Sequence, residues 1–236
     1  FYIADNLSSG RRTQVLMNLG GNAEADKSGS FGAVGELGSG KSAFLKTVSS
    51  HTIDRGGQMV AVDHSENQEW AALGKAIADA TVLDFEDPQY SLDPLRLHGP
   101  TQRAYRDVMS LFSMLFTLDS SSQEGGMLAQ VMHPQNLRQA GIASMRGLRD
   151  ALHTGHGVPA ELRQVAKDVG LLMDTVMLDD YGKYLFDESL PVLSFSSSAI
   201  VFCTHGLRLP EDYELSDYRL RRAMLPEKKI GYATYG

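Results

Sequence analysis

A chain of 236 residues is long enough for one large domain or two small ones around a buried core. Its composition is ordinary globular, 42% hydrophobic and 22% charged, and a net charge of −7 argues against a surface built mainly to grip a nucleic-acid backbone. The single cysteine, Cys203, excludes a disulfide framework and a cysteine-rich metal site. No apolar run approaches the ~18 residues that a membrane span needs, and no signal peptide is present. Opening on Phe1 and closing on Tyr235-Gly236, the sequence reads as an excised piece of a longer protein.

Residues 1–29 are polar and dotted with glycine, with one apolar run at Val15-Leu16-Met17, and predict a short strand or hairpin leading into the core. Ser30 to Val34 is a small-residue run read as a brief buried strand. Lys41 to Arg55 follows as a helix, with Phe44, Leu45 and Val48 on one face and Gly56-Gly57 as its stop. QMVAVD then reads as an apolar strand ending on Asp63. Trp70, Leu73 and Ile77 are spaced for a helix, and TVLDF, Thr81 to Phe85, for another strand. Strands alternating with helices in this way are the pattern of a parallel sheet covered by helices, an α/β core over residues 30–100.

The rhythm changes at Leu97-His98-Gly99-Pro100. A helical pattern runs from Thr101 to Leu118, with Val108, Phe112 and Leu115 on one face. Asp119 to Gly126 reads as a loop or lid. A second long helix is predicted from Pro159 to Leu178, where Leu162, Val165, Val169, Leu172 and Val176 keep a three-to-four spacing. With no strand expected between about 101 and 190, this stretch is an all-α insertion. Strand character returns at AIVFCT, Ala199 to Thr204, so residues 191–236 rejoin the core sheet and end in a charged tail.

One stretch carries chemistry. GELGSGKS, Gly35 to Ser42, satisfies the phosphate-loop pattern of two glycines with four residues between them, followed by Lys-Ser. Glycines let backbone close around phosphate, where a Cβ would stand in the way. The amides of Gly38, Ser39, Gly40, Lys41, Ser42 and Ala43 would face an anion at the positive end of the following helix. Lys41 would reach the β- and γ-phosphates of ATP, and the Ser42 hydroxyl would hold Mg²⁺. A chain of this length meets the pattern by chance roughly once or twice in a hundred cases. Here the strand–loop–helix setting it needs is also predicted.

Hydrolysis needs more: an acid at another strand tip for Mg²⁺, and a glutamate to orient water. Asp63 ends a predicted strand, with Glu66 three residues on. Asp63 is equally suited to hold Mg²⁺-bound water or to cap the helix over Asn67–Ala78. VMLDD, Val176 to Asp180, continues a helical face rather than forming a buried strand. His205, at the tip of AIVFCT, is read as a structural group in preference to a phosphate sensor. Arg219, Arg221 and Arg222 are read as a solvated cluster in preference to an arginine supplied to a neighbour.

Three stretches in order, GELGSGKS, MVAVDHSENQEW and TVLDFEDPQYSLDPLRL, resemble the motor ATPases of type IV secretion and conjugation, relatives of the hexameric FtsK/HerA translocases. Asp63 and Glu66 match the acids of an Asp-Pro-x-x-Glu-Tyr-like turn in that family, with His64 in place of the proline. Ser91-Leu92-Asp93-Pro94-Leu95 matches its later Asp-Pro motif. The resemblance runs over 1–236 and is strongest over 30–98 and 186–209. It implies a RecA-like core with an all-α lobe, a hexameric ring, other secretion-system components as partners, and a cytoplasmic place peripheral to the bacterial inner membrane. It implies as well that the Asp-Glu strand of the hydrolytic site lies beyond Gly236. DNA is a possible partner in such a family, but the acidic charge does not support it. Two alternatives stand beside the motor: a nucleotide-gated assembly module without hydrolysis, and a FtsK/HerA-like DNA translocase. A small-molecule kinase lacks the arginine cluster expected around its transferred phosphoryl group. An ABC-type ATPase lacks its Leu-Ser-Gly-Gly-like run.

Overall fold

The computed structural model describes residues 2–6, 8, 10–18, 31–116, 118, 121–178, 182–208, 210–224 and 228–229. The chain divides into two compact units, Phe1–Met59 and Val60–Gly236.

The first unit contains a hairpin of β1 (Tyr2–Asn6) and β2 (Thr13–Leu16), antiparallel with Ala4 opposite Val15 and Asn6 opposite Thr13. The predicted hairpin is therefore present. Its strands are largely exposed on both faces. Phe31 to Glu36 forms no strand, and Val34 is 99% exposed. Gly32 and Ala33 bring too little side chain to bury a strand face, and Phe31 instead meets Phe44 edge to face at 6.3 Å. Helix α1 runs from Lys41 to Asp54 and stops where Gly56 N–H donates to Ile53 O (2.8 Å) and Gly57 N–H to Thr52 O (2.9 Å).

The second unit is built on three strands, β3 (Met59–Asp63), β4 (Ala80–Asp84) and β5 (Ala199–Cys203), in the order β3-β5-β4. β4 and β5 are parallel, Ala80 opposite Ala199 through Asp84 opposite Cys203. As the central strand, β5 is buried on both faces, which is why AIVFC reads as a continuous apolar run rather than an alternating one. Helix α2 (Glu69–Lys75) covers β4 and β5 closely. A Cβ on Gly74 would sit 2.9 Å from Val82 Cγ2 and 3.0 Å from Val201 Cγ2, so only glycine lets the helix approach this far.

Two neighbouring parallel strands need a crossover, and here the crossover is the helical lobe. After the short α3 (Pro94–His98) come α4 (Gln102–Phe116), α5 (Gln123–Val131), α6 (Pro134–Ala140), α7 (Met145–Thr154), a single 3₁₀ turn, α8 (Arg163–Met177) and α9 (Lys183–Phe186). The apolar stripes of these helices form one core. Ala104, Val108, Phe112 and Leu115 of α4 share this core with Leu148 and Leu152 of α7 and Val169 and Met173 of α8. Two short helices follow β5, α10 (Asp212–Ser216) and α11 (Tyr218–Ala223). The α/β fold with a parallel sheet and an inserted helical lobe is as the sequence predicts.

The buried strand expected over Ser30 to Val34 is corrected by the largely exposed, strandless course of Phe31 to Val34, with Ser30 outside the described residues. Two further local expectations are corrected. The stretch expected as a loop up to Gly126 is helical from Gln123, because the Ser122 hydroxyl accepts from Gly125 N–H (3.0 Å) and starts α5. Asp119 and Ser120 lie outside the described residues. In α8 the buried stripe is Ala166, Val169, Met173 and Val176, while Leu172 is 37% exposed. Small Ala166 and Gly170 form the contact face, since a close helix–helix approach selects for size as well as hydrophobicity.

Candidate functional site

In the first unit, the glycine-rich loop is held by its own hydrogen bonds. Ser39 N–H donates to Glu36 O (3.2 Å), closing a turn in which Gly38 takes the third place with φ 78°. Gly40 is the N-cap of α1 with φ 86°, and ideal Cβ atoms at Gly38 and Gly40 would meet nothing within 4 Å. Both conformations are strained for any residue with a Cβ. Lys41 folds back over the loop, its Nζ donating to Gly35 O (2.8 Å) and Glu36 O (2.7 Å). Ser42 and Ala43 are exposed in the first turn of the helix.

These features fit the phosphates of ATP. The N-cap has no side-chain hydrogen bond and the first turn holds no acidic residue, so nothing on the helix itself offsets its positive end. A lysine that already satisfies two loop carbonyls keeps the ammonium at the loop and one donor to spare.

In the second unit, polar groups gather at the carboxyl ends of the strands, the edge where open parallel sheets place their ligands. Asp63 is 2% exposed. Its Oδ1 accepts from the Ser65 hydroxyl (2.5 Å) and Ser65 N–H (3.1 Å), and its Oδ2 from Trp70 N–H (2.8 Å). Burial pushes this carboxyl up, but the Ser65 hydroxyl and the amides of Trp70, Ser65 and Ala71 outweigh it and hold the group below the usual carboxylate range. Asp63 thus ties down the turn that enters α2. Glu66 is exposed within that turn. The same turn contains Gln68 in the left-handed region (φ 46°), alone among the described non-glycine residues. Such a conformation costs roughly 1–2 kcal/mol.

His64 Nδ1 lies 2.9 Å from Thr204 O, and because a carbonyl only accepts, this nitrogen carries the proton. His205 Nε2 lies 3.1 Å from Glu86 Oε2 and donates to it, since a carboxylate only accepts; Gln68 Nε2 donates to the other ring nitrogen, His205 Nδ1 (3.2 Å), and lies 3.4 Å from Asp84 Oδ2. His205 is therefore engaged with Glu86 and Gln68, two residues that belong to no motif of their own in the sequence. A histidine at a strand tip with an acid just past the neighbouring tip was the available signal. No group of three or more His, Cys, Asp or Glu residues suited to a metal exists among the described residues. Val176 and Met177 end α8, and Asp179 and Asp180 lie outside the described residues. Arg219 is exposed at the start of α11, and the side chains of Arg221 and Arg222 lie outside the described residues.

A family model of the AAA-like domain matches residues 15–225. The chain belongs to the AAA-like domain family. Membership makes it a domain of the P-loop ATPase class. No curated protein matches it. Among solved structures, VirB4 of Thermoanaerobacter pseudethanolicus shares the fold, with a TM-score of 0.65 over 99% of this chain at 16% identity. The AAA-like chain spans 60% of the length of that structure. No helix among the described residues is long and apolar enough to cross a membrane.

Proposed function

We propose that this AAA-like chain is the nucleotide-binding part of a type IV secretion motor, in which ATP hydrolysis drives substrate transfer or apparatus assembly. The observation that carries the reading is the loop from Gly35 to Ser42: two left-handed glycines, an uncapped helix start and a lysine folded over the loop. Gly35, Gly38, Ser39, Gly40, Lys41, Ser42 and Ala43 would hold the phosphates, and Ser42 would hold Mg²⁺, which would supply charge neutralisation there. Asp63 and Glu66 are the acids of this chain proposed for hydrolysis, Asp63 through water. The likeness in fold to VirB4 supports the secretion role. Assembly as a hexameric ring, a place at the inner membrane and other components of the apparatus as partners belong to the same proposal.

The test is ATP binding and turnover by the chain, by Lys41→Ala, and by a longer version of the protein that continues past Gly236. Binding lost in Lys41→Ala, with turnover confined to the longer protein, is the expected result. Unchanged binding by Lys41→Ala overturns the reading. A second reading, a nucleotide-gated assembly module without hydrolysis, draws on Asp63, whose oxygens are already engaged by Ser65 and Trp70. Absence of turnover in the longer protein would select it. The FtsK/HerA-like DNA translocase predicts salt-sensitive, sub-micromolar binding of duplex DNA, whereas the charge of −7 predicts weak binding at physiological salt.

A further inference from the structure

The chain leaves the sheet at β4 and returns through the segment after α9, and the two passages are clasped together. Ser91 N–H donates to Pro191 O (2.8 Å), Leu193 N–H to Ser91 O (3.1 Å) and Leu92 N–H to Tyr184 O (2.8 Å). At the centre of this clasp is Asp93, 1% exposed. Its Oδ1 accepts from Leu95 N–H (2.8 Å) and Arg96 N–H (3.3 Å), which starts α3. Its Oδ2 accepts from Met145 N–H (2.8 Å), the first amide of α7, fifty-two residues away in the chain. Among the described residues no lysine or arginine side chain is bonded to it; a buried carboxylate of this kind is costly unless amides satisfy it, and here the amides of two helix starts do so.

α7 has its own N-cap as well. The Ser144 hydroxyl accepts from Gly147 N–H (2.9 Å) and donates to Glu188 Oε1. Two capping groups therefore share the orphan amides of one helix, one from its own segment and one from across the lobe. Arg146 Nε donates to Phe186 O (3.0 Å), and Arg96 to Asp187 O (3.3 Å) and Leu190 O (3.0 Å). The first turn of α7 is bound to both passages of the clasp.

The clasp also reaches the sheet edge. Tyr184, 3% exposed, donates its hydroxyl to Asp84 O at the tip of β4 and packs against Phe85 with ring centres 5.0 Å apart and planes tilted by 47°. Its own carbonyl accepts from Leu92 N–H and from the Ser91 hydroxyl (3.3 Å), and that hydroxyl accepts from Asp93 N–H (3.3 Å). A continuous set of hydrogen bonds thus runs from the β4 tip through Tyr184, Ser91 and Asp93 to Met145.

We propose that Asp93 is a positioning residue which, with Tyr184, fixes α7 and the helical core behind it to the carboxyl edge of the sheet, so that a displacement of the β4 tip is delivered to the first turn of α7. The lobe is on this account a rigid extension of the sheet edge rather than a lid swinging on its connections. The wiring holds whether or not the glycine-rich loop binds a nucleotide.

Hydrogen exchange of the whole chain, without ligand, tests it. Tyr184→Phe removes one hydroxyl and keeps the ring. It is expected to speed exchange at Met145 to Gly147 on the order of fivefold while β5 stays protected. A rise confined to residues 84–86 and 184–186 overturns the proposal. Asp93→Asn places an amide NH₂ where an acceptor stood and is expected to speed exchange in both α3 and the start of α7 on the order of tenfold. Combining the two substitutions should add nothing further at α7, since the path is already cut. Additive effects there overturn it. Ser144→Ala loosens the start of α7 from its own side and should leave α3 unchanged; loss of α3 protection would mean general softening and overturn the proposal. Should Asp93→Asn not fold, the Tyr184→Phe result decides alone.

Discussion

The glycine-rich loop and the helical lobe are stabilised in opposite ways. From Val34 to Gly40 nearly every residue is exposed, Leu37 fully so, and the conformation rests on local hydrogen bonds and on two glycine torsions. The lobe rests on a shared apolar core and on one buried carboxylate satisfied by distant amides. A loop proposed to receive a charged ligand keeps its backbone amides open, and so cannot bury them. A lobe that must hold its place buries everything it can. Binding determinants and stability determinants are separable in this AAA-like chain, and substitutions can break one set without the other.

The sharpest contrast in stability is Phe112→Ala against Leu37→Ala. Phe112 is 1% exposed in the lobe core, and its truncation should cost about 3–5 kcal/mol in denaturant unfolding. Leu37 projects fully into solvent, and its truncation should stay within about 0.5 kcal/mol. Lys41→Ala runs the other way, weakening ATP binding by roughly a hundredfold or more in titration calorimetry with almost no change in unfolding, because charge-assisted bonds to phosphate are lost and no core is touched. Equal effects of Lys41→Ala on binding and on stability would merge the two sets.

Acid titration sharpens the comparison. Burial pushes the Asp93 carboxyl up to about 6, against the amides of Met145, Leu95 and Arg96 and the Arg96 guanidinium. The folded state therefore holds this proton more tightly than the unfolded chain does. Stability associated with Asp93 falls as pH rises from about 4 to about 6, by at most about 3 kcal/mol, and is level above. Asp63 has the opposite sign, its stabilisation present at neutral pH and lost only below the ordinary carboxylate range. Unfolding of Asp93→Asn followed over that window should show the slope removed.

Smaller effects follow from the caps and the thiol. Ser122→Ala should cost about 1 kcal/mol in thermal unfolding through the start of α5. Burial raises the Cys203 thiol to about 11, so alkylation of the folded chain at neutral pH should be far slower than that of an unfolded control.

Much of this was legible in the sequence, for identifiable reasons. GELGSGKS could be read because the loop's geometry is specified by its own residues, with glycine where a positive φ is needed and lysine where it can fold back. β3, β4 and β5 could be read because apolar runs between turns have few alternatives. Asp93-Pro94 carries a helix-start signal, an N-cap acid followed by proline at the first helical position, beside its match to a family motif. Gln68 and Glu86 offered no local pattern, since their meaning lies in a partner on another strand.

By itself, then, the sequence determined the local chemistry and the order of the elements: a phosphate-fitting loop, three core strands and a helical insertion. Each of these follows from propensity, periodicity and torsional limits acting within a few residues. Tertiary structure alone decided that one buried carboxylate starts two helices, that α8 turns its small residues inward and Leu172 outward, and that Tyr184 joins the lobe to the tip of β4. Those outcomes depend on amides and surfaces brought together across the chain, where hydrogen-bond satisfaction in a dry interior leaves few other arrangements.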